Sequence, residues 1–376
     1  MHTLAALALC ALIACGGSSA PRPAAPAVVP AVDARKAESD AKGLVVEIYD
    51  TVSRGKTDSL FSLLSERLVV FGPRATDATT TRSDALVALG KVVDPKAKRH
   101  AAVHSGGFDV VTSPGGHSAW MSDVLSIGGD RFAVTAVLTN SDELWAVSAA
   151  ALAEMPSGRQ IKAEAARDAI VPPGAAAAGK LDPRAADAVE RFKKGLLDQQ
   201  VWGDDLAARG DAVVIGPTAG DVSRGKAAIQ RAWKARLRSK VREATSGETT
   251  AAMTPDGQLV WISAPVTRVA DDEDPMPLRI FAIYEKDAAG WKMIALHEAL
   301  AFGDAGAGAA FKKVLPPAPP PPEPPKVEDK KPEVTERAAP TDKKPEAQAK
   351  KAKKTNTAKK AKPKKKDPPA ESRAMP

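Results

Sequence analysis

The sequence predicts an α+β protein of two tandem modules, each with helices leading into an antiparallel sheet, set between disordered termini. Three observations predict this. The first is an internal repeat. Val69-Val70-Phe71-Gly72-Pro73 returns as Val213-Val214-Ile215-Gly216-Pro217, 144 positions later, and Asp77 returns as Asp221 at the same offset. Ser113-Pro114-Gly115-Gly116 ahead of Trp120 matches Thr254-Pro255-Asp256-Gly257 ahead of Trp261, and Leu144-Trp145 matches Gly290-Trp291. Matches in the same order with a slowly drifting offset are the mark of one unit used twice. The second observation is that each copy moves from a helical to a two-residue apolar period in the same order. The third is that both ends of the chain differ sharply in composition from the middle.

The second copy is the clearer. Ala185 to Gln199 carries Val189, Phe192, Leu196 and Leu197 on one helical face, with Pro183 just ahead of it. Trp202 to Arg209 reads as a short second helix. Ala212 to Ile215 is a strand stopped by Gly216-Pro217. Ser223 to Leu237 is a helix, with Ile229, Trp233 and Leu237 four apart. Strands follow over residues 242–253, 258–269, 278–286 and 291–300, separated by turn signals such as Pro255-Asp256-Gly257. The first copy repeats this with helices over 41–54 and 57–66, a strand over 68–71 and a helix over 83–92. Its later strands lie near 102–111, 118–127, 131–138 and 144–151. Between the copies, Pro172-Pro173-Gly174 and four alanines have a linker composition.

This order of elements resembles the nuclear-transport-factor-2-like superfamily, and within it the SnoaL-like group. In the second copy the resemblance is carried by Gly216-Pro217 after the first strand and by Asp256-Gly257 before the strand of Trp261. Gly290-Trp291-Lys292 leading to Leu296-His297-Glu298 carries it further. It implies that each module is a cone, a curved sheet wrapped around its N-terminal helices, with a pocket inside. Isomerases, cyclases, dehydratases and members without chemistry share that fold, so it does not supply a reaction.

The N-terminus reads as a processing signal. Leu4 to Ala14 is almost wholly apolar, the length of a signal-peptide core and too short to span a bilayer. Leu12-Ile13-Ala14-Cys15-Gly16 resembles a bacterial lipobox, which implies cleavage before Cys15 and its lipidation. No Lys or Arg precedes the apolar run, a departure from that pattern. Cys10 and Cys15 are the only cysteines, so the mature body is expected to hold no free thiol, disulfide or zinc–thiolate site. The expected organisation is a signal peptide over 1–14, a spacer over 15–36 and a degenerate first module over 37–153. A linker over 154–182, a second module over 183–303 and a tail over 304–376 follow.

The tail is expected to be disordered, proline-rich over 316–325 and rich in Lys, Ala and Pro beyond. From Lys312 onward it holds 19 Lys+Arg against 9 Asp+Glu, a net of +10 in a chain of net +8, which leaves the rest near −2. The basic character therefore belongs to the tail. Such a tail suits polyanions, here anionic lipids or envelope polymers. With the anchor at Cys15 this predicts a cell-envelope lipoprotein. Gly16 lacks the aspartate that marks inner-membrane retention in enteric bacteria, so the outer membrane, facing the periplasm, is the expected site.

His297 is the best candidate for chemistry. A period of two puts Trp291, Met293, Ala295 and His297 on one face of the last strand, which the resemblance implies could line the pocket. Trp261, Ser263, Arg279 and Tyr284 join Trp291 and Met293 as pocket-lining candidates. The first copy has Ala151 where the second has His297. Glu298 points to the other face, and no polar triad can be assembled from spacing. Asp271-Asp272-Glu273-Asp274 lacks the alternation of a calcium loop, and no cofactor or metal site is expected. The modules are expected to bind a small apolar molecule or a partner protein without catalysis, and to pair with one another. The alternatives are an isomerase or hydrolase using His297 as general base, and a polyanion- or nucleic-acid-binding protein acting through its tail.

Overall fold

The computed structural model describes residues 33–92, 102–173, 181–239, 241–270 and 274–309. Cys15, the predicted signal peptide, the tail from 310 and Asp271 to Glu273 of the acidic run lie outside the described residues. The first module opens with α1 (Ala34–Ser53), whose N-cap Asp33 accepts from the backbone N–H groups of Arg35 and Lys36. A 3-10 turn (Thr57–Leu63), β1 (Leu64–Phe71), β2 (Ala78–Thr79) and α2 (Arg82–Val92) follow. The module ends with β3 (Val103–Ser105), β4 (Val110–Thr112), β5 (Ser118–Ile127), β6 (Asp130–Ser141) and β7 (Leu144–Glu154). The linker contains α3 (Gly158–Ala166). The second module has α4 (Ala186–Leu197), α5 (Gln199–Ala208), β8 (Val213–Ile215), β9 (Val222–Arg224) and α6 (Gly225–Arg238). It closes with β10 (Arg242–Thr245), β11 (Thr250–Met253), β12 (Leu259–Val269), β13 (Met276–Asp287) and β14 (Gly290–Ala299).

The two sheets have one topology. The first runs β2-β1-β7-β6-β5-β3 with β4 also on β5, and the second runs β9-β8-β14-β13-β12-β10 with β11 also on β12. The fold is α+β, with helices ahead of the long strands in both modules. The sheets are mixed rather than wholly antiparallel, because β1 pairs with β7, and β8 with β14, in parallel. The repeated Gly-Pro signature has a steric cause. The Gly72 and Gly216 N–H groups donate to the carbonyls of Asp77 and Asp221, each at 2.6 Å. A Cβ on Gly72 would lie 2.7 Å from that of Asp77, and one on Gly216 would lie 2.6 Å from that of Asp221. Only glycine fits this turn, and it sends the chain back as β2 or β9.

Some expected elements differ. The single strands expected over 102–111 and 242–253 each divide in two, at Gly106-Gly107 and at Ser246-Gly247, although both halves still pair with the same neighbour. Gly107 has φ +104°, outside the range of most side chains. The helix expected over 57–66 is a 3-10 turn that stops at Leu63, where β1 begins. The linker is not featureless, because Ser157 and Gln160 form a reciprocal capping box that starts α3. Residues 304–309, expected in the tail, return to the linker, where Gly306 and Gly308 donate to the carbonyls of Arg167 and Asp168.

Each sheet buries both faces. One face covers its own helices. In the second module Val189, Phe192, Trp202 and Trp233 pack on Val260, Ile262, Tyr284 and Met293. In the first, Leu44 and Val45 pack with Met121, Leu138 and Val147. The opposite faces pack on each other through Phe71, Trp120, Val137 and Ala149 of the first module and Val213, Trp261, Phe281 and Ile283 of the second. Trp261 stacks on Phe281 with ring centroids 6.1 Å apart and meets Phe71 edge-on. Polar contacts fix the docking. Arg279 donates to Gly72 O at 3.1 Å and Ala75 O at 3.3 Å. Asp256 accepts from Ser113 Oγ at 3.0 Å and Ser118 Oγ at 2.7 Å, so the two repeated turns meet. Arg224 donates to Ser122 O at 2.9 Å.

Candidate functional site

The sequence-predicted site residues do not share one pocket. The register along β13 and β14 shifts between Ile283 and Tyr284, so Ile283 pairs with Ala295 while Tyr284 pairs with Met293. This bulge at Ile294 breaks the two-residue period. Trp291, Met293 and Tyr284 therefore face the helices of the second module, whereas Ala295 lies in the cluster between the sheets. His297 follows Ala295 onto that inter-sheet face, beside Arg279, while Trp261 is in the same inter-sheet cluster and Ser263 shares its parity. The expectation of one face carrying Trp291, Met293 and His297 is corrected by the bulge.

His297 is 1% exposed, and neither ring nitrogen has a hydrogen-bond partner. Burial holds its imidazole down to about 4; Glu298 opposes that shift and Arg279 adds to it. Burial also lowers the Arg279 guanidinium to about 10. A substrate would reach this histidine only by parting the two sheets.

Inside the cone of the second module, rings fill the space. Trp202 is fully buried, 5.3 Å from Phe192 and 6.5 Å from Trp233 between centroids. Two helical glycines make room. A Cβ on Gly195 would lie 1.8 Å from Trp202 Nε1, and one on Gly203 would lie 2.3 Å from Trp233 Cδ1. Beyond the rings sits a buried charge network. Arg268 pairs with Glu243 at 2.7 Å and Glu298 at 2.6 Å, and Arg236 pairs with both carboxylates. Burial alone would raise the Glu298 carboxyl, but Arg236 and Arg268 outweigh it and hold it well below the usual range. Two arginines against two glutamates leave the cluster neutral, although Glu243 Oε2 and Arg268 Nη2 have no hydrogen-bond partner.

The first module has a cavity instead. It has a volume of about 110 Å³ and lies between α1, the 3-10 turn and the inward sheet face. Val45, Ile48 and Tyr49 form one side, and Met121, Ala136 and Leu152 the other. No polar atom faces it. Its counterpart is full because α5 supplies Trp202, whereas the shorter 3-10 turn buries only Leu60 and leaves Phe61 46% exposed. The registers align the two cones. Val103 pairs with Ile127 as Glu243 pairs with Arg268, and Val134 pairs with Leu152 as Ile280 pairs with Glu298. Three cavity-lining hydrocarbons of the first module thus stand where the second has three charges.

A polar group adjoins the cavity. Asp123 is fully buried on β5 between the lining residues Met121 and Leu125. Its Oδ2 accepts from Ser105 Oγ at 2.5 Å and Tyr49 OH at 3.1 Å, and its Oδ1 from the Val124 N–H at 2.7 Å. Burial, then Asp123, pushes the Tyr49 hydroxyl pKa far up, so it stays protonated. Sequence reading missed Tyr49, Ser105 and Asp123. The available signal was Asp123 in the inward row Met121, Leu125, Ile127, where a lone carboxylate interrupts an apolar period. Among the described residues no group of three His, Cys, Asp or Glu side chains is placed to hold a metal ion.

No protein-family model and no curated protein sequence matches the chain. Solved structures do. A protein of unknown function from Pectobacterium atrosepticum is 15% identical, over 32% of this chain and 92% of its own, with TM-score 0.27. A nuclear-transport-factor-2-like protein of unknown function from Shewanella baltica is 14% identical, over 34% of this chain and 100% of its own, with TM-score 0.27. Another nuclear-transport-factor-2-like protein, from Cytophaga hutchinsonii, is 16% identical, over 33% of this chain and 100% of its own, with TM-score 0.26. Each likeness spans about a third of the chain.

Proposed function

We propose that this is an envelope lipoprotein whose first module binds a small molecule in its cone, without catalysis, while the second module braces it. The apolar cavity of about 110 Å³ carries this reading. Ligand sites are concave and mostly apolar, and a void of this size in an otherwise close-packed interior leaves its lining short of contacts that a ligand would supply. Catalysis would need a polar group at the cavity wall, and the wall offers none. A general base at His297 lacks support, because that side chain is sealed between the sheets.

The test is a fragment screen by thermal shift on the full chain and on Ala136→Phe, which places a ring in the cavity. Fragments should raise the melting temperature of the parent and not of the variant. Equal shifts in both proteins would place binding elsewhere. The anchor is tested separately by mass analysis of the membrane fraction. A lipidated chain starting at Cys15, lost in Cys15→Ser, supports anchoring, and an unmodified soluble chain starting at Met1 removes it. The tail's 19 Lys+Arg make anionic envelope lipids or polymers its proposed partners. Binding to anionic vesicles should weaken steeply with salt and vanish when residues 312–376 are deleted.

A further inference from the structure

We infer that the ligand of the first module is a compact hydrocarbon without a hydrogen-bonding group, and that Asp123 is the positioning residue that keeps the cavity wall free of polar atoms. This deepens the proposed function and rests on it. Among the residues lining the cavity, Tyr49 is the only one whose side chain carries a hydroxyl, amide or charge. Its ring contributes to the wall, but its hydroxyl is drawn aside to Asp123 Oδ2. The same oxygen accepts from Ser105, and the other accepts from the Val124 N–H. A carboxylate at an inward position, flanked by two lining residues, would otherwise be the first group a polar ligand met. Here three donors hold it away from the cavity. Arg224 of the second module, bound to Ser122 O, adds a positive charge close enough to act on Tyr49. The polar atoms at this end of the cone satisfy one another, and only hydrocarbon and ring carbon face inward.

Size narrows the class. An engineered apolar cavity of about 150 Å³ stays dry and takes up benzene. At about 110 Å³ this cavity is slightly smaller, so one ring or a short branched chain suits it. A hydroxyl on such a ligand would be buried without a partner. That should weaken binding about ten-fold or more.

The probes are benzene against phenol and cyclopentane against cyclopentanol, read by methyl NMR shifts of the full chain. Each hydrocarbon is expected to bind at least about ten-fold tighter than its alcohol. In Asp123→Ala the freed Tyr49 hydroxyl should narrow that ratio several-fold toward the alcohol. Ser105→Ala, the milder change, leaves the Tyr49 bond in place but takes one donor from Asp123 Oδ2; the freed acceptor should narrow the ratio in the same direction, and this variant serves if Asp123→Ala does not fold. Alcohols that bind the parent protein as tightly as hydrocarbons would overturn this inference and leave small-molecule binding standing. A ratio unchanged in the folded variants would remove the role given to Asp123. If none of the four probes moves a cavity methyl, the proposed function fails as well.

Discussion

Between about pH 6.5 and 4.5, acid should weaken this protein chiefly through His297. In the folded state burial holds its imidazole at about 4, against about 6.5 for an exposed histidine. The unfolded chain therefore takes up the proton first. Stability from the neutral side chain is fully present above pH 6.5 and is lost as pH falls toward 4. The fall from about 6.5 to about 4 corresponds to about 3 kcal/mol at about 1.4 kcal/mol per pH unit, most of it lost by pH 4.5. The structure supplies the cause. A protonated ring would be a second cation beside Arg279 in a dry interface, and Glu298, the nearby carboxylate, is already held by two arginines. The assay is urea denaturation at pH 7.5, 6.5, 5.5 and 4.5 at fixed ionic strength, for the parent and His297→Leu. The parent should lose about 2–3 kcal/mol more than the variant across that range. Shifts at Glu154 and elsewhere affect both proteins and cancel in the difference. Parallel declines would refute the reasoning and mean that the ring finds a proton acceptor on folding.

Three further outcomes follow from the packing. Trp202→Ala should cost about 3–5 kcal/mol, and the space left between Gly195, Gly203 and Phe192 should let benzene raise the melting temperature through the second module. Gly203→Ala, whose Cβ would meet Trp233 at 2.3 Å, should cost about 1–3 kcal/mol by overpacking, measured by the urea midpoint. Glu298→Ala leaves two largely buried arginines sharing the single carboxylate of Glu243 and should cost about 3–5 kcal/mol. A calorimetric loss below about 1 kcal/mol would mean that water replaces the carboxylate.

The architecture was legible because its signals are local and occur twice. Gly72 with Asp77 and Gly216 with Asp221 mark the same turn, since a Cβ fits at neither glycine. The amphipathic stripe of α4 and the strand order could be read from periodicity. The site was not legible, for two physical reasons. A one-residue bulge at Ile294 exchanges the faces of β14, and no composition rule places a bulge in a run as uniformly apolar as Met293 to Leu296. An empty space also leaves no residue to read. The cavity exists because a 3-10 turn with Leu60 stands where the second module has a helix with Trp202, a difference of volume rather than of motif. Asp123 was visible as an odd carboxylate in an apolar row, but its partners Tyr49 and Ser105 lie 74 and 18 residues away.

The polar contacts that dock the sheets are asymmetric. Arg279, Asp256 and Arg224 all reach from the second module, and Gly115 and Ala151 stand in the first where the second has Asp256 and His297. A symmetric dimer of identical chains cannot be built this way, because every interface residue appears twice and a favourable change on one side brings its mirror image on the other. Joining two copies in one chain removes that constraint, and the linker holds the partners at a high effective concentration whatever their intrinsic affinity. Each copy is then free to specialise: one can fill its cone with tryptophan and charge to become a rigid wall, while the other keeps a hollow interior that would be costly to maintain alone.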